Sequence, residues 1–184
     1  MTVPGAAPAP PSALVPDDTP TPIVAGGRPR WALFALLAVA VVAIDQLAKG
    51  WVAASFQVGV PTSIVGDALR ITVTHNQGAL FGLVQGSAVV LGFVSLVVAA
   101  LIIWYEARAG ASLLVSIALG LLLGGAMGNL ADRLRQGYVI DFVDAGLGSV
   151  RWFTFNLSDV AIDGAILLLV LIALVPERRP ARPA

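Results

Sequence analysis

The stretch Leu113–Asp144, LLVSIALGLLLGGAMGNLADRLRQGYVIDFVD, carries an apolar span, its polar end and the start of a strand in one run. The apolar part, about Leu113 to Leu134, is near the roughly 20 residues a helix needs to cross a ~30 Å hydrocarbon core. Gly120, Gly124 and Gly128 recur at a spacing of four, which puts them on one helix face and lets a neighbouring backbone approach closely. The polar residues gather at one end. Asn129 and Arg133 are four apart, with Asp132 beside them. YVIDFV, from Tyr138 to Val143, then reads as a strand. Asp141 is a carboxylate amid Val139, Ile140 and Phe142 with no evident structural duty, and alternation puts it on the face with Val139 and Val143.

Working outward, three more apolar segments appear, at about Trp31–Trp51, Ala88–Tyr105 and Leu157–Val175. Trp31, Trp51, Trp104 and Tyr105 sit at segment ends, where interfacial aromatics belong. The whole chain of 184 residues is 58% hydrophobic and only 12% charged. A soluble domain has about 25% charged residues, so composition and spans agree on an integral membrane protein. In the loop after the first span, LRITVT (Leu69–Thr74) alternates apolar and polar residues as a half-buried strand does. In the loop after the third, YVIDFV and VRWFTF flank AGLGS as a hairpin. The expected fold class is therefore an all-α membrane protein of four transmembrane helices with a small β platform on the membrane surface.

Residues 1–30 hold eight of the twelve prolines and have no helical or strand period, so a disordered tail is expected. This tail is not read as a signal peptide, because the apolar run starts too late and is too long. Residues 31–176 form the membrane domain and 177–184 a short basic tail. Four spans place both termini on one side with Arg28, Arg30, Arg108, Arg178, Arg179 and Arg182. Setting aside Lys49 and Arg133, which stand at helix ends beside carboxylates, the other side keeps Arg70, Arg135 and Arg151. The bias puts both termini in the cytoplasm and the β platform outside.

Polar residues are costly in a membrane, so their grouping carries information. They cluster at the outer ends of spans one, three and four and in the outer loops. Asp45 and Lys49 are four apart on one face, which suits a structural ion pair. Asn76 follows the first strand, and Asn156 directly precedes the fourth span. Asp159 opens that span, where a carboxylate caps free N–H groups and meets the helix dipole favourably. Asp132, Asp144 and Asp163 have no partner that the sequence names, and the cytoplasmic side shows no comparable cluster. Zero net charge implies no bulk attraction to nucleic acid, and no nucleic-acid partner is expected. The absence of Cys excludes disulfides, thiolate metal sites and a cysteine nucleophile. One His, His75, excludes a His-rich metal cage and leaves any Ser-His-Asp triad a single candidate.

Four strings now stand in order: DQLAKG (Asp45–Gly50), NQGALFG (Asn76–Gly82), GGAMGNLADRLRQGYVIDFVD (Gly124–Asp144) and FNLSD (Phe155–Asp159). Together they resemble lipoprotein signal peptidase, the signal peptidase II family of aspartic membrane proteases, over roughly Trp31 to Val175. The resemblance implies a catalytic dyad of Asp141 and Asp159, supported by Asp45, Lys49, Asn76, Gly78, Asn129, Arg133 and Asn156. It also implies four membrane helices with a periplasmic β cradle, and no metal or other cofactor. The implied partners are a lipid-modified prolipoprotein substrate, membrane lipid and a globomycin-type inhibitor. The implied location is the bacterial cytoplasmic membrane with the site at its outer face. Two departures from the family pattern are Ala48, where Ser or Thr often precedes the Lys, and Ser158 in place of Ala.

Two close carboxyls cannot both ionise without a large penalty, so one holds a proton near neutral pH while the other activates water. The resemblance makes the expected activity removal of the signal peptide, with the cut placed before a diacylglyceryl-modified Cys. The alternative from another class is a small ion or proton carrier using membrane carboxylates. That reading calls for charges near mid-span, and only Asp163 lies moderately deep. A non-catalytic four-helix scaffold would leave the grouping of polar motifs unexplained.

Overall fold

The computed structural model describes residues 30–78, 88–109 and 112–175. The tails read over 1–30 and 177–184, apart from Arg30, and the 79–82 part of NQGALFG lie outside the described residues. Four helices alternate with short strands: α1 (Trp31–Ser55), β1 (Thr62–Val65), β2 (Leu69–Asn76), α2 (Ala88–Ala109), α3 (Leu113–Gln136), β3 (Val139–Leu147), β4 (Val150–Arg151) and α4 (Leu157–Leu174). Each helix is long and apolar enough to cross a membrane. All four expected spans are present, and α1 and α2 extend four residues past their expected ends, to Ser55 and Ala109.

α3 is the central helix, packed against α1, α2 and α4. Its glycines explain how two of these neighbours come so near. A Cβ on Gly124 would stand 2.8 Å from the Ala38 carbonyl and 2.6 Å from the Val41 Cβ. A Cβ on Gly125 would stand 2.5 Å from the Ser158 carbonyl, on the opposite flank. So α1 and α4 both lie backbone-close to α3 at its small residues. Toward the end away from the sheet, Phe34, Ala38, Ala99, Ile102, Leu119 and Leu123 form an apolar core joining α1, α2 and α3.

The four strands form one antiparallel sheet in the order β1-β2-β3-β4. The strand expected at Leu69–Thr74 runs to Asn76 and pairs with β3, matching Thr74 with Asp141 and Asn76 with Val139. β1 is a four-residue edge strand, fully exposed, and the sequence has no alternation there to reveal it. The second expected hairpin forms, but its return strand is only Val150–Arg151. Beyond it Phe155 makes an isolated bridge to Val143. One face of β3 carries Ile140 and Phe142, which pack with Val73 against Val52 of α1. That contact seats the sheet on the end of α1 and turns Asp141, on the other face, toward the helices.

Candidate active site

α4 begins with a reciprocal cap. Asn156 is the N-cap, its side chain accepting from the Asp159 N–H at 3.0 Å, and the Asn156 N–H donates to Asp159 Oδ2 at 3.1 Å. This is the capping box with Asp in the place of Glu, and it fixes the rotamer of Asp159. The capping duty leaves the other oxygen, Oδ1, to take a hydrogen bond from Asn129 Nδ2 at 2.8 Å. Asp141 arrives from β3. Asn156 Nδ2 donates to its Oδ1 at 2.6 Å and Asn76 Nδ2 to its Oδ2 at 2.9 Å. Asn156 therefore touches both aspartates, through its backbone and through its side chain.

Both carboxyls line one cavity of about 260 Å³, with Asn76, Gly78, Asn129, Arg133 and Val139. Val94 and Val98 of α2 and Ile162 of α4 complete an apolar wall on the membrane side, with Ser95, whose hydroxyl donates to the Leu91 carbonyl, between the two valines. Among the described residues, no cation lies within ion-pair distance of Asp141 or Asp159. Their hydrogen-bond donors are amides. Burial pushes the Asp141 carboxyl up to about 6; the Asn76 hydrogen bond works against this, and the charge of Asp159 adds to it. A carboxyl in that range gives up its proton nearer to neutral pH than an ordinary one does.

Beneath the cavity lies a buried ionic cluster. Lys49 Nζ meets Asp45 Oδ2 at 2.8 Å, Asp132 Oδ2 at 2.9 Å and Asn129 Oδ1 at 2.9 Å, which satisfies all three of its donors. Asp45 Oδ1 accepts the Ser158 N–H of α4 at 2.9 Å. The ion pair expected of Asp45 and Lys49 forms. Among the described residues, their polar contacts with other elements are to α3 and α4 and not to the β platform, because the α1 face carrying them is turned into the bundle. Asp132 makes the link to the sheet, accepting the Ile140 N–H at 3.1 Å immediately before Asp141. Gly78 joins the rim, its N–H donating to Asn76 Oδ1 at 3.0 Å and its carbonyl accepting from Arg133 Nη2 at 3.5 Å. All nine residues singled out in the sequence thus fall in one connected region.

Three groups that the sequence reading did not single out belong to the same framework or to its opposite end. Gln46, next to Asp45 in DQLAKG, donates to Asp132 Oδ1 at 2.9 Å and to the Gly128 carbonyl at 3.2 Å. Asp132, left without a partner in the sequence, has three. Glu106 is buried at the end of α2 away from the sheet, a single carboxylate on the side where the sequence shows no comparable polar cluster. The expected span stopped at Tyr105, and the helix carries on through Glu106 into the bundle. His75 stacks on Tyr138, with ring centroids 4.0 Å apart, and lies outside the cavity lining. Asp163 is exposed.

Paired carboxyls at the edge of a four-helix membrane bundle, in a chain with no thiol and one imidazole, are the equipment of an aspartic-type membrane protease. The family model for signal peptidase (SPase) II matches residues 37–175. The lipoprotein signal peptidase of Syntrophomonas wolfei is 41% identical over 149 residues, 80% of this chain and 95% of that protein. That of Moorella thermoacetica is 39% identical over 150 residues, 81% of this chain and 97% of that protein. A solved bacterial membrane enzyme at 2.3 Å resolution shares the fold with a TM-score of 0.78, at 24% identity, over 87% of this chain and 99% of that one. A second, at 1.9 Å resolution, has a TM-score of 0.73 at 26% identity, over 82% of this chain and 97% of that one. The chain belongs to the signal peptidase II family and is a multi-pass membrane protease. The ion-carrier alternative finds no support in these relatives.

Proposed function

We propose that this chain removes the signal peptide from diacylglyceryl-modified prolipoproteins by cutting before the lipidated Cys, with Asp141 and Asp159 as the catalytic pair. The observation that carries the reading is the shared cavity: two carboxyls from different elements open on one space, held by Asn76, Asn129 and Asn156, with no cation among the described residues within ion-pair distance of either. One carboxyl is ionised and takes a proton from water as the oxygen attacks the scissile carbonyl. The other is protonated and hydrogen-bonds the developing oxyanion, and the leaving amine is then protonated. The pair titrates as a unit, so the shared proton belongs to both. Arg133, on the cavity rim, orients the peptide backbone. The apolar wall of Val94, Val98 and Ile162 faces the acyl chains of the substrate.

The site stands at the outer face of the bacterial cytoplasmic membrane, with both termini inside. The arginine bias supports this, as does the need of a diacylglyceryl substrate to keep its acyl chains in the bilayer. A globomycin-type inhibitor would compete for the same cavity. The test uses the purified full chain in phospholipid vesicles, a diacylglyceryl-modified prolipoprotein peptide and a chelator. Cleavage before the lipidated Cys is expected, with Asp141→Asn and Asp159→Asn each lowering the rate ~10³-fold or more while remaining folded. Equal cleavage of a peptide without the diacylglyceryl group, or full activity in either Asn variant, would overturn the assignment.

A further inference from the structure

α2 is the least attached helix of the bundle, and its two halves differ. It packs chiefly on α3. Near the sheet, Val89, Val90, Phe93, Val94, Leu96 and Val97 are all exposed. In that same half Val94, Ser95 and Val98 wall the cavity. In that half Gly92 is buried beside Leu130 of α3, and the buried side chains, Ala99, Ile102 and Glu106, follow at helical spacing toward the other end. Ala99 and Ile102 enter the apolar core with Phe34, Ala38, Leu119 and Leu123.

Glu106 is the last of these side chains, 1% exposed. Its Oε1 accepts the Arg30 N–H at 3.2 Å and the Ser116 hydroxyl at 2.9 Å. Arg30 is the N-cap of α1 and makes no side-chain cap of its own. Glu106 therefore caps α1 from another helix, where the dipole favours a negative group. Ser116 lies in the first turn of α3. One carboxylate thus joins the starts of α1 and α3 to the end of α2. Its Oε2 is buried and has no partner among the described residues. A buried carboxyl so placed is costly unless its contacts matter to the arrangement of the helices.

We infer that Glu106 is a positioning residue for the proteolytic reaction: its three-helix clasp fixes the tilt of α2, and through it the placement of the wall formed by Val94, Ser95 and Val98. The inference rests on the cavity being the substrate site, as proposed above. Without the clasp, the contacts that define the angle of α2 among the described residues are its apolar ones with α3 and α1. The half that is weakly held at the sheet end then moves most, and the cavity loses its fit to the acyl chains. Such a change removes binding that is equal in ground and transition states, so it raises KM and leaves kcat unchanged.

Two readouts on the full chain in vesicles test this. In the first, Glu106→Ala raises KM for the diacylglyceryl peptide about fivefold or more with kcat within about twofold, and Glu106→Gln, which keeps the acceptor oxygen, stays within about twofold in both. The second needs no activity. The chain has no native Cys, so the pair Val94→Cys and Ile162→Cys reports the gap between α2 and α4 by its oxidative cross-linking rate. Adding Glu106→Ala changes that rate about threefold or more, and Glu106→Gln leaves it unchanged. Should Glu106→Ala fail to fold, Ser116→Ala, which removes one donor, shifts the cross-linking rate in the same direction by less. An unaltered cross-linking rate overturns the inference, as does a loss confined to kcat or to thermal stability. If the parent chain cleaves no lipidated peptide, the proposed function fails and the cross-linking rate still decides the role of Glu106.

Discussion

Asp141 and Asp144 stand three residues apart on β3 and face opposite surroundings. Asp141 meets the side-chain amides of Asn76 and Asn156 beside a second carboxyl, and its pKa is raised to about 6. Asp144 sits in a clasp of cations. Arg70 reaches it at 2.9 Å and Arg151 at 2.7 Å, with the Thr72 hydroxyl at 3.0 Å. Burial works to raise the Asp144 pKa, but the hydrogen bonds from Arg151, Thr72 and Arg70, together with the Arg151 charge, outweigh it and hold the carboxyl below its usual range. Both aspartates are buried, so burial alone does not separate them. The partners do. Amide donors hold a carboxyl in place and leave its proton exchangeable, whereas guanidinium groups lock it as an anion.

If that distinction is right, breaking the cationic networks should cost stability, and disturbing the amide network should alter chemistry. The largest stability effect is expected at the buried cluster below the cavity. Lys49→Met leaves Asp45 and Asp132 without their cation and should destabilise the folded chain by ~3–5 kcal/mol. Denaturant unfolding in detergent would read this, and adding Asp45→Asn should recover part of the loss. A stability unchanged by Lys49→Met would show that the cluster is not held by its charge.

A smaller loss is expected at the clasp, whose arginines keep some contact with solvent. Asp144→Asn should cost ~1–3 kcal/mol at neutral pH while turnover of the folded fraction stays near that of the parent. Because the folded-state pKa of Asp144 is depressed, the clasp's contribution is present above the unfolded value near ~4 and is lost as pH falls through the folded one. The stability gap between parent and variant should therefore close on acidification. A gap that widens instead would contradict the ion-pair reading.

The smallest effect concerns Ser158, whose buried hydroxyl finds no partner among the described residues. Ser158→Ala removes an unsatisfied polar group and keeps the backbone N–H that binds Asp45. It should leave activity near the parent's and raise stability by ~1 kcal/mol. A destabilised variant would mean that the hydroxyl is bonded in the membrane.

Much of this contrast is legible in the sequence, for physical reasons. Strand alternation has a period of two and assigns Asp141 to the face of Val139 and Val143; the structure places Asp141 and Val139 on the cavity wall, while Val143 packs against the cluster of Val52, Val73, Ile140 and Phe142. Asp159 was readable as a cap, and it does cap α4. What the sequence could not supply is pairing across distance. Nothing local to Asp144 singles out Arg70, and nothing near Asp132 singles out Lys49, because sheet register and helix packing make those contacts. Glu106 was missed for another reason. A charge at the edge of an apolar run reads as the end of a span, and only the packing of α1 and α3 around it makes it interior.

The pH dependence of cleavage tests the central claim, that a proton shared within the amide-lined pair drives hydrolysis. On the proposed mechanism the singly protonated pair is the active form, so kcat/KM should decline on the alkaline side as the last proton leaves. The Asn76 hydrogen bond lowers the pKa of Asp141, so removing it raises that pKa. In Asn76→Ala the alkaline limb of the kcat/KM profile should therefore move to higher pH, while Asp144→Asn leaves its position unchanged. A limb that stays in place or moves to lower pH in Asn76→Ala, or one that shifts with Asp144→Asn, would contradict the account.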